Sequence, residues 1–426
     1  MLKIRTQTII FCLIFLAGTI SNVCFGQSAT KNSAVFKKHI LTNGFLSEGV
    51  AVGDVNKDGK IDVLAGAFWF EAPHWKRHEI DSPKTYNPAK EYSHSFLNFS
   101  MDVNLDEWTD LIMIGYPGTP GIWYENPKNN KAQWKKHIIS ETVGIGNESP
   151  AFVDMDGDGR KDILCADTKA KQMVWLRAPR AKGSTAWERI PISETNAPGT
   201  DRFSHGLGLG DINKDGRKDV IIKSGWWEAP TDPTQPNWAF HSADLGEDCS
   251  HMHVLDVNED GLNDVVSASA HRYGIWWYEQ GKDVNQNISW KRHEINNSIS
   301  QTHASELIDI NQDGKLELIT GKRFFAHNDT DNDPGAREPA LLVWVEFKMA
   351  KNPSWELHEI DNNSGSGLNM ITEDVTKDGL IDIVISNKKG VLTRRHPNGT
   401  RVLTRKNNFV NRPLKKLFFL TQLLSG

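Results

Sequence analysis

The chain has 426 residues, 24% charged side chains and a formal net charge of −5. That balance excludes nucleic acid as an expected partner, while the length alone allows two or three ordinary domains. Fifteen Trp against six Tyr is an unusual ratio, and most of the Trp recur at fixed places in the pattern described next.

In chain order, residues 1–26 read first, as an export signal. Lys3 and Arg5 form a basic start, Ile9 to Ile20 is mostly apolar, and Val23-Cys-Phe-Gly26 is a candidate cleavage site. The apolar run is too short for a transmembrane anchor. Bulky Val23 also speaks against lipidation of Cys24. The expectation is an exported protein, whether periplasmic, cell-surface or secreted. Beyond the signal only Cys165 and Cys249 remain, in different repeats, so no disulfide framework is expected.

An acidic nonapeptide then recurs seven times, each copy just before a short apolar strand. The copies begin at Asp54, Asp102, Asp154, Asp211, Asp256, Asp309 and Asp374. A period of roughly fifty residues marks a repeat architecture. Four short strands fit each period, as in Gly49–Gly53, Ile61–Gly66, Ala67–Pro73 and Trp75–Ile80. Four-stranded units around a channel are propeller blades. The expected fold is therefore all-β: a seven-bladed β-propeller over residues 36–402, followed by a basic and then apolar tail at 403–426. The last repeat lacks a fourth strand, and Phe36 to Leu41 has the sequence of one. That segment is predicted to pair near Val391 to Arg395 and close the ring, which removes a free edge.

Oxygen ligands at alternate positions suit a hard cation, with Gly at position six allowing the sharp turn. The candidate calcium ligands are Asp54, Asn56, Asp58 and Asp62; Asp154, Asp156, Asp158 and Asp162; Asp211, Asn213, Asp215 and Asp219; and Asp256, Asn258, Asp260 and Asp264. Asp309, Asn311 and Asp313 belong to the sixth copy, and Asp374, Asp378 and Asp382 to the seventh. The third copy is the most charged and is expected to bind tightest. The second has Glu107 where Gly is wanted, the sixth ends in Glu317, and the seventh has Thr376 at position three.

These loops resemble the FG-GAP or VCBS repeat family, over roughly residues 36 to 397. That resemblance implies a seven-bladed propeller with structural Ca2+ in the loops. The strands Trp69-Phe-Glu-Ala-Pro73 and Trp75-Lys-Arg-His-Glu-Ile80 look more specifically like the propeller of aldos-2-ulose dehydratases, which implies a sugar-processing lyase.

Histidine is the second signal. His39, His78, His137, His241, His293 and His358 fall in fourth strands and read as structural. A different set stands about six residues before the acidic loops: Glu48, Glu148, His205 and His303, with His251 one residue out of register and His94 two. Glu48, Glu148, His205, His251 and His303 are the expected ligands of a second divalent metal, Zn, Mn or Mg, in the central channel. The one-residue offset of His251 turns its face unless a bulge corrects it. Long loops on the same face, at 81–92, 193–203, 267–273 and 321–339, are candidates for function. From them and nearby, His94, His271 and Tyr92 are candidate bases, and Arg202, Arg272, Lys322 and Arg323 candidate contacts to an anionic or keto sugar. Asp329, Asp331 and Asp333 read as a possible further cation loop.

Two functions fit. One is a metal-dependent carbohydrate lyase or dehydratase acting by β-elimination. The other is a non-catalytic module that binds glycan or protein. Carbohydrate is the expected partner of the first, and oligomeric state is not legible.

Overall fold

A computed structural model describes residues 36–395, apart from Lys131, Asp248 and Asp331. The signal segment, the tail and Asp331 lie outside the described residues. The described residues form one compact unit. Among the described residues there are 28 strands and no helix, and hence no helix long and apolar enough to cross a membrane.

Strand β1 (Lys37–Thr42) stands apart from its sheet in sequence. The first local sheet is β2 (Ala51–Gly53), β3 (Asp62–Ala65), β4 (Phe68–Glu71) and β5 (Lys76–Glu79). Next come β6 (Leu97–Met101), β7 (Asp110–Ile114), β8 (Ile122–Glu125) and β9 (Lys135–Ile138). A third sheet holds β10 (Ala151–Val153), β11 (Asp162–Asp167), β12 (Gln172–Arg177) and β13 (Glu188–Pro191). Then follow β14 (Leu207–Gly210), β15 (Asp219–Ile222), β16 (Gly225–Glu228) and β17 (Ala239–Ser242). The next four are β18 (His251–Leu255), β19 (Asp264–Ala268), β20 (Tyr273–Lys282) and β21 (Ile288–Ser300). Another sheet is β22 (Ser305–Ile308), β23 (Glu317–Gly321), β24 (Leu342–Lys348) and β25 (Ser354–Asp361). The last is β26 (Met370–Glu373), β27 (Asp382–Asn387) and β28 (Gly390–Arg395), completed by β1. β1 runs antiparallel to β28, with Lys37 opposite Arg395 and Ile40 opposite Leu392.

The arrangement is propeller-like and all-β, but its sheets are not seven separate blades. Five four-stranded sheets stand alone, and β14–β17 and β18–β21 form one eight-stranded sheet. The joint is a parallel pairing of β14 with β18, Leu207 opposite His251 and Gly208 opposite Met252. Gly208 makes it possible, because a Cβ there would collide with the Met252 carbonyl.

Apolar packing lies between consecutive sheets. Trp123 on β8 packs with Ile163, Val174 and Leu176 of the next sheet, and Trp175 on β12 with Val220 and Trp227 of the one after. In five repeats the third-strand Trp stacks on a fourth-strand His: Trp69 on His78, Trp123 on His137, Trp226 on His241, Trp277 on His293 and Trp344 on His358. Each of those imidazoles meets a third-strand Glu at 2.7–3.1 Å, so these histidines are structural. The third sheet inverts the charges. Arg177 takes the Glu position, and Asp156 and Glu188 face it at 2.7 and 3.6 Å.

The acidic loops close on their own backbone. Asp54 accepts the amides of Asp58 and Gly59 at 3.1 and 2.9 Å, a pattern repeated at Asp211, Asp256, Asp309 and Asp374. In the second loop Glu107 holds the left-handed turn that Gly makes elsewhere, with φ 72°. The ninth residue does a different job from the first five. Asp62 is fully buried and accepts the amides of Val55 and Ala72 at 3.0 and 2.8 Å. Three carboxylates gather in two described loops, as Asp154, Asp156 and Asp158, and as Asp309, Asp313 and Glu317. Glu317 reaches the group because its side chain is one methylene longer than Asp. In the third loop the Arg180 guanidinium stands on Asp156 and Asp158 at 2.6 and 2.7 Å.

Candidate functional site

In an antiparallel sheet the start of the innermost strand lies beside the turn from the second strand to the third. One mouth of the channel is built from those two kinds of segment, opposite the acidic loops. Strand starts supply Glu48, Tyr92, Glu148, His205 and His303. The turns supply His271, between β19 and β20, Arg323 after β23, and Lys388 between β27 and β28.

His205, His271 and His303 come together, with one nitrogen of each within 4.8 Å of the others. The Nε2 atoms of His205 and His271 are 3.2 Å apart. His303 is 3% exposed, and its Nδ1 donates to the Gln301 carbonyl at 3.3 Å. Its Nε2 is therefore unprotonated, and it is buried without a hydrogen-bond partner. Burial, reinforced by the Arg323 charge, pushes the His303 pKa well down, so the ring is neutral. Imidazoles converging from separate elements are a donor set for zinc or a similar ion.

Behind them lies a buried ion triad. Arg323 donates to Glu148 at 3.0 Å and also to Glu48. All three side chains are under 10% exposed. Burial pushes the Glu148 carboxyl up, but His205 and Arg323 outweigh it and hold the pKa at about 2. On the open side, the segment after β23 lays His327 and Asp333 against the cluster. Asp333 accepts from His327 Nδ1 at 2.8 Å and lies 3.6 Å from His271 Nδ1. The His271 and His327 rings stack at 4.6 Å. A cavity of about 350 Å³ opens here, lined by Tyr92, Tyr116, Glu148, Phe203, His205, His271, Arg323 and His327. Burial raises the Tyr92 pKa to about 12, so its phenol keeps its proton.

The other expected residues separate from this group. His251 stands down the channel, because the parallel ladder sets it level with Leu207, past His205. Its Nδ1 donates to the Ser305 carbonyl at 3.1 Å. With His253, Lys161 and Glu306 it lines a cavity of about 480 Å³ bounded by β2, β6, β10, β14, β18, β22 and β26. Glu48 is spent on Arg323. His94 is exposed and packs edge-on to Tyr86, outside the three-histidine cavity. Arg272 is on the surface, 3.6 Å from Glu247. Lys322 is buried and holds the carbonyls of Gly335 and Glu338. Arg202 alone remains a rim cation, set over Tyr116 and Phe203 at 4.8 and 4.9 Å. Asp329 pairs with Arg337, and Asp333 with His327. Sequence reasoning missed Lys388, whose ammonium sits 4.6 Å over Tyr92 and donates to Phe325 O and Asn328 Oδ1 at 2.9 and 2.7 Å. Burial lowers its pKa to about 8.

The model of the FG-GAP-like repeat matches residues 102–165 and 256–320. The chain carries FG-GAP-like repeats. Each matched segment begins on the first Asp of an acidic loop. No curated protein matches the chain. Among solved structures, BBS1N in complex with ARL6DN is similar at 9% identity and TM-score 0.47, covering 86% of this chain and 98% of that one. The rhamnogalacturonan lyase YesW is similar at 11% identity and TM-score 0.42, covering 84% and 72%. The V. cholerae biofilm matrix protein Bap1 is similar at 13% and TM-score 0.31, and the chain covers 44% of its length.

Proposed function

We propose that this FG-GAP-repeat protein is an exported, metal-dependent carbohydrate lyase with its centre at His205, His271 and His303. The observation that carries the reading is the convergence of three imidazoles around a buried, unpartnered His303 Nε2. A divalent ion held there would act as a Lewis acid on a substrate carboxylate or carbonyl oxygen. His327 is the base: Asp333 fixes its Nδ1 proton, which leaves Nε2 to take the proton beside that group. The bond from the β carbon to its oxygen then breaks, and the protonated Tyr92 phenol is the donor to the leaving oxygen. The likeness of the strand pairs to aldos-2-ulose dehydratases agrees with this chemistry. In the acidic loops, Ca2+ would be held by the residues at positions one, three and five, while the ninth stays with the backbone amides, except in the sixth loop, where Glu317 joins Asp309 and Asp313.

The test is incubation of zinc-, manganese- or magnesium-loaded protein with uronate polymers and keto-sugars, following the ultraviolet absorbance of the unsaturated product. His327→Ala should abolish product while leaving metal content unchanged. Tight glycan binding with no product from any loaded form would instead establish the non-catalytic binding reading.

A further inference from the structure

Beside the three-histidine cavity lies a second one of about 670 Å³, formed where the first two repeats meet. Tyr116 lines both cavities and forms the wall between them. Its ring is 38% exposed, as is Phe203, which packs edge-on to it at 5.4 Å. Exposed flat rings along a groove suit the apolar faces of sugar rings. The second cavity also carries Lys84, Lys136 and His94, all exposed, against a single carboxylate, Asp81. That carboxylate already accepts the Tyr124 hydroxyl at 2.6 Å. Two ammoniums thus face one engaged acid. In the first cavity, by contrast, Glu48 and Glu148 neutralise Arg323.

We infer that the second cavity is a subsite for a neighbouring uronate unit, so that the substrate is an acidic oligosaccharide or polysaccharide rather than a free sugar. This rests on the lyase reading for the first cavity and adds the substrate class. One sugar unit occupies the cavity lined by His205, His271 and His327, the chain crosses Tyr116, and the next carboxylate meets Lys84 and Lys136. The attraction is between exposed charges and therefore weakens with salt.

The test is calorimetric titration with galacturonate, tri-galacturonate and neutral xylotriose, on wild type and a Lys84→Ala/Lys136→Ala variant. Tri-galacturonate should bind about tenfold tighter than galacturonate, a difference of about 1.4 kcal/mol. The double variant should erase that advantage, as should high salt. An equal affinity for trimer and monomer, a preference for xylotriose, or an advantage that survives the double substitution overturns the proposal. A parallel zinc titration of wild type and His205→Ala separates it from the reading it rests on. A pocket-dependent trimer advantage without zinc binding keeps the subsite and removes the metal centre. Zinc binding without the advantage does the reverse.

Discussion

The two ends of the channel hold histidines of the same origin and put them to different uses. At one mouth His205 and His303 open their strands and meet His271, with Arg323, Glu48 and Glu148 packed behind. Further along, His251 and His253 both lean on Ser305, at its carbonyl and its hydroxyl, with Glu306 and Lys161 nearby. The first group meets because turns and strand starts converge at the rim. The second stays separate because each ring points from within a strand. A step of a few residues along β18 therefore decides between a cluster that can share a ligand and isolated, hydrogen-bonded side chains.

Substitutions at both ends test that contrast. The largest effect is expected from Arg323→Met, which leaves Glu48 and Glu148 buried without a counter-charge. Loss of one partner of a buried ion group costs roughly 3–5 kcal/mol. Thermal unfolding should show it, whereas His253→Ala at the other end should cost far less. Next come His205→Ala and His303→Ala, which should weaken zinc binding by at least about 100-fold, with little change in the metal-free melting temperature. His251→Ala should leave zinc binding intact, and a comparable loss there would merge the two ends into one site. Asp333→Asn removes the carboxylate beside His271 Nδ1 and should weaken zinc binding by about 10–100-fold.

The smallest effect belongs to Glu306. Burial raises its pKa to about 7 from 4.5, with Lys161 opposing. Its protonated form therefore adds stability that is complete below about pH 4.5 and lost as pH rises through about 7. Glu306→Gln should flatten that dependence and stabilise the protein at pH 8 by roughly 1–2 kcal/mol, discounted for channel water. Melting curves between pH 5 and pH 8 check the sign.

Much of the fold was legible because the repeat carries its own ruler. Asp54 and its counterparts mark the end of each innermost strand, and Trp69-type residues mark the third. Even the pairing of β1 with β28 followed from a missing strand at one end and a spare one at the other. What the ruler could not measure is the seam between β14 and β18, which depends on Gly208 lying against the Met252 carbonyl. The same limit applies to the site. His205 and His303 stand at fixed distances before their acidic loops and could be placed. His271, His327, Asp333 and Lys388 sit in turns whose course no period sets, so their meeting is a tertiary fact. Arg323 was visible only as a cation on a long loop, with nothing in sequence to show two carboxylates around it.

The pairing of β1 with β28 also sets an order of events at the ribosome. β1 is made early, and its partner emerges only after all the other described strands. The last sheet thus cannot be completed until nearly the whole chain is out, a contact of the greatest sequence separation that should be slow to form. During that wait β1 is an unpaired strand, the kind of segment that recruits wrong neighbours. Its Lys37, Lys38 and His39 are suited to the delay, since charge on an edge discourages pairing with another copy. Replacing those lysines with apolar β-formers would leave the finished ring nearly as stable, yet lower the fraction of newly made chains that reach it.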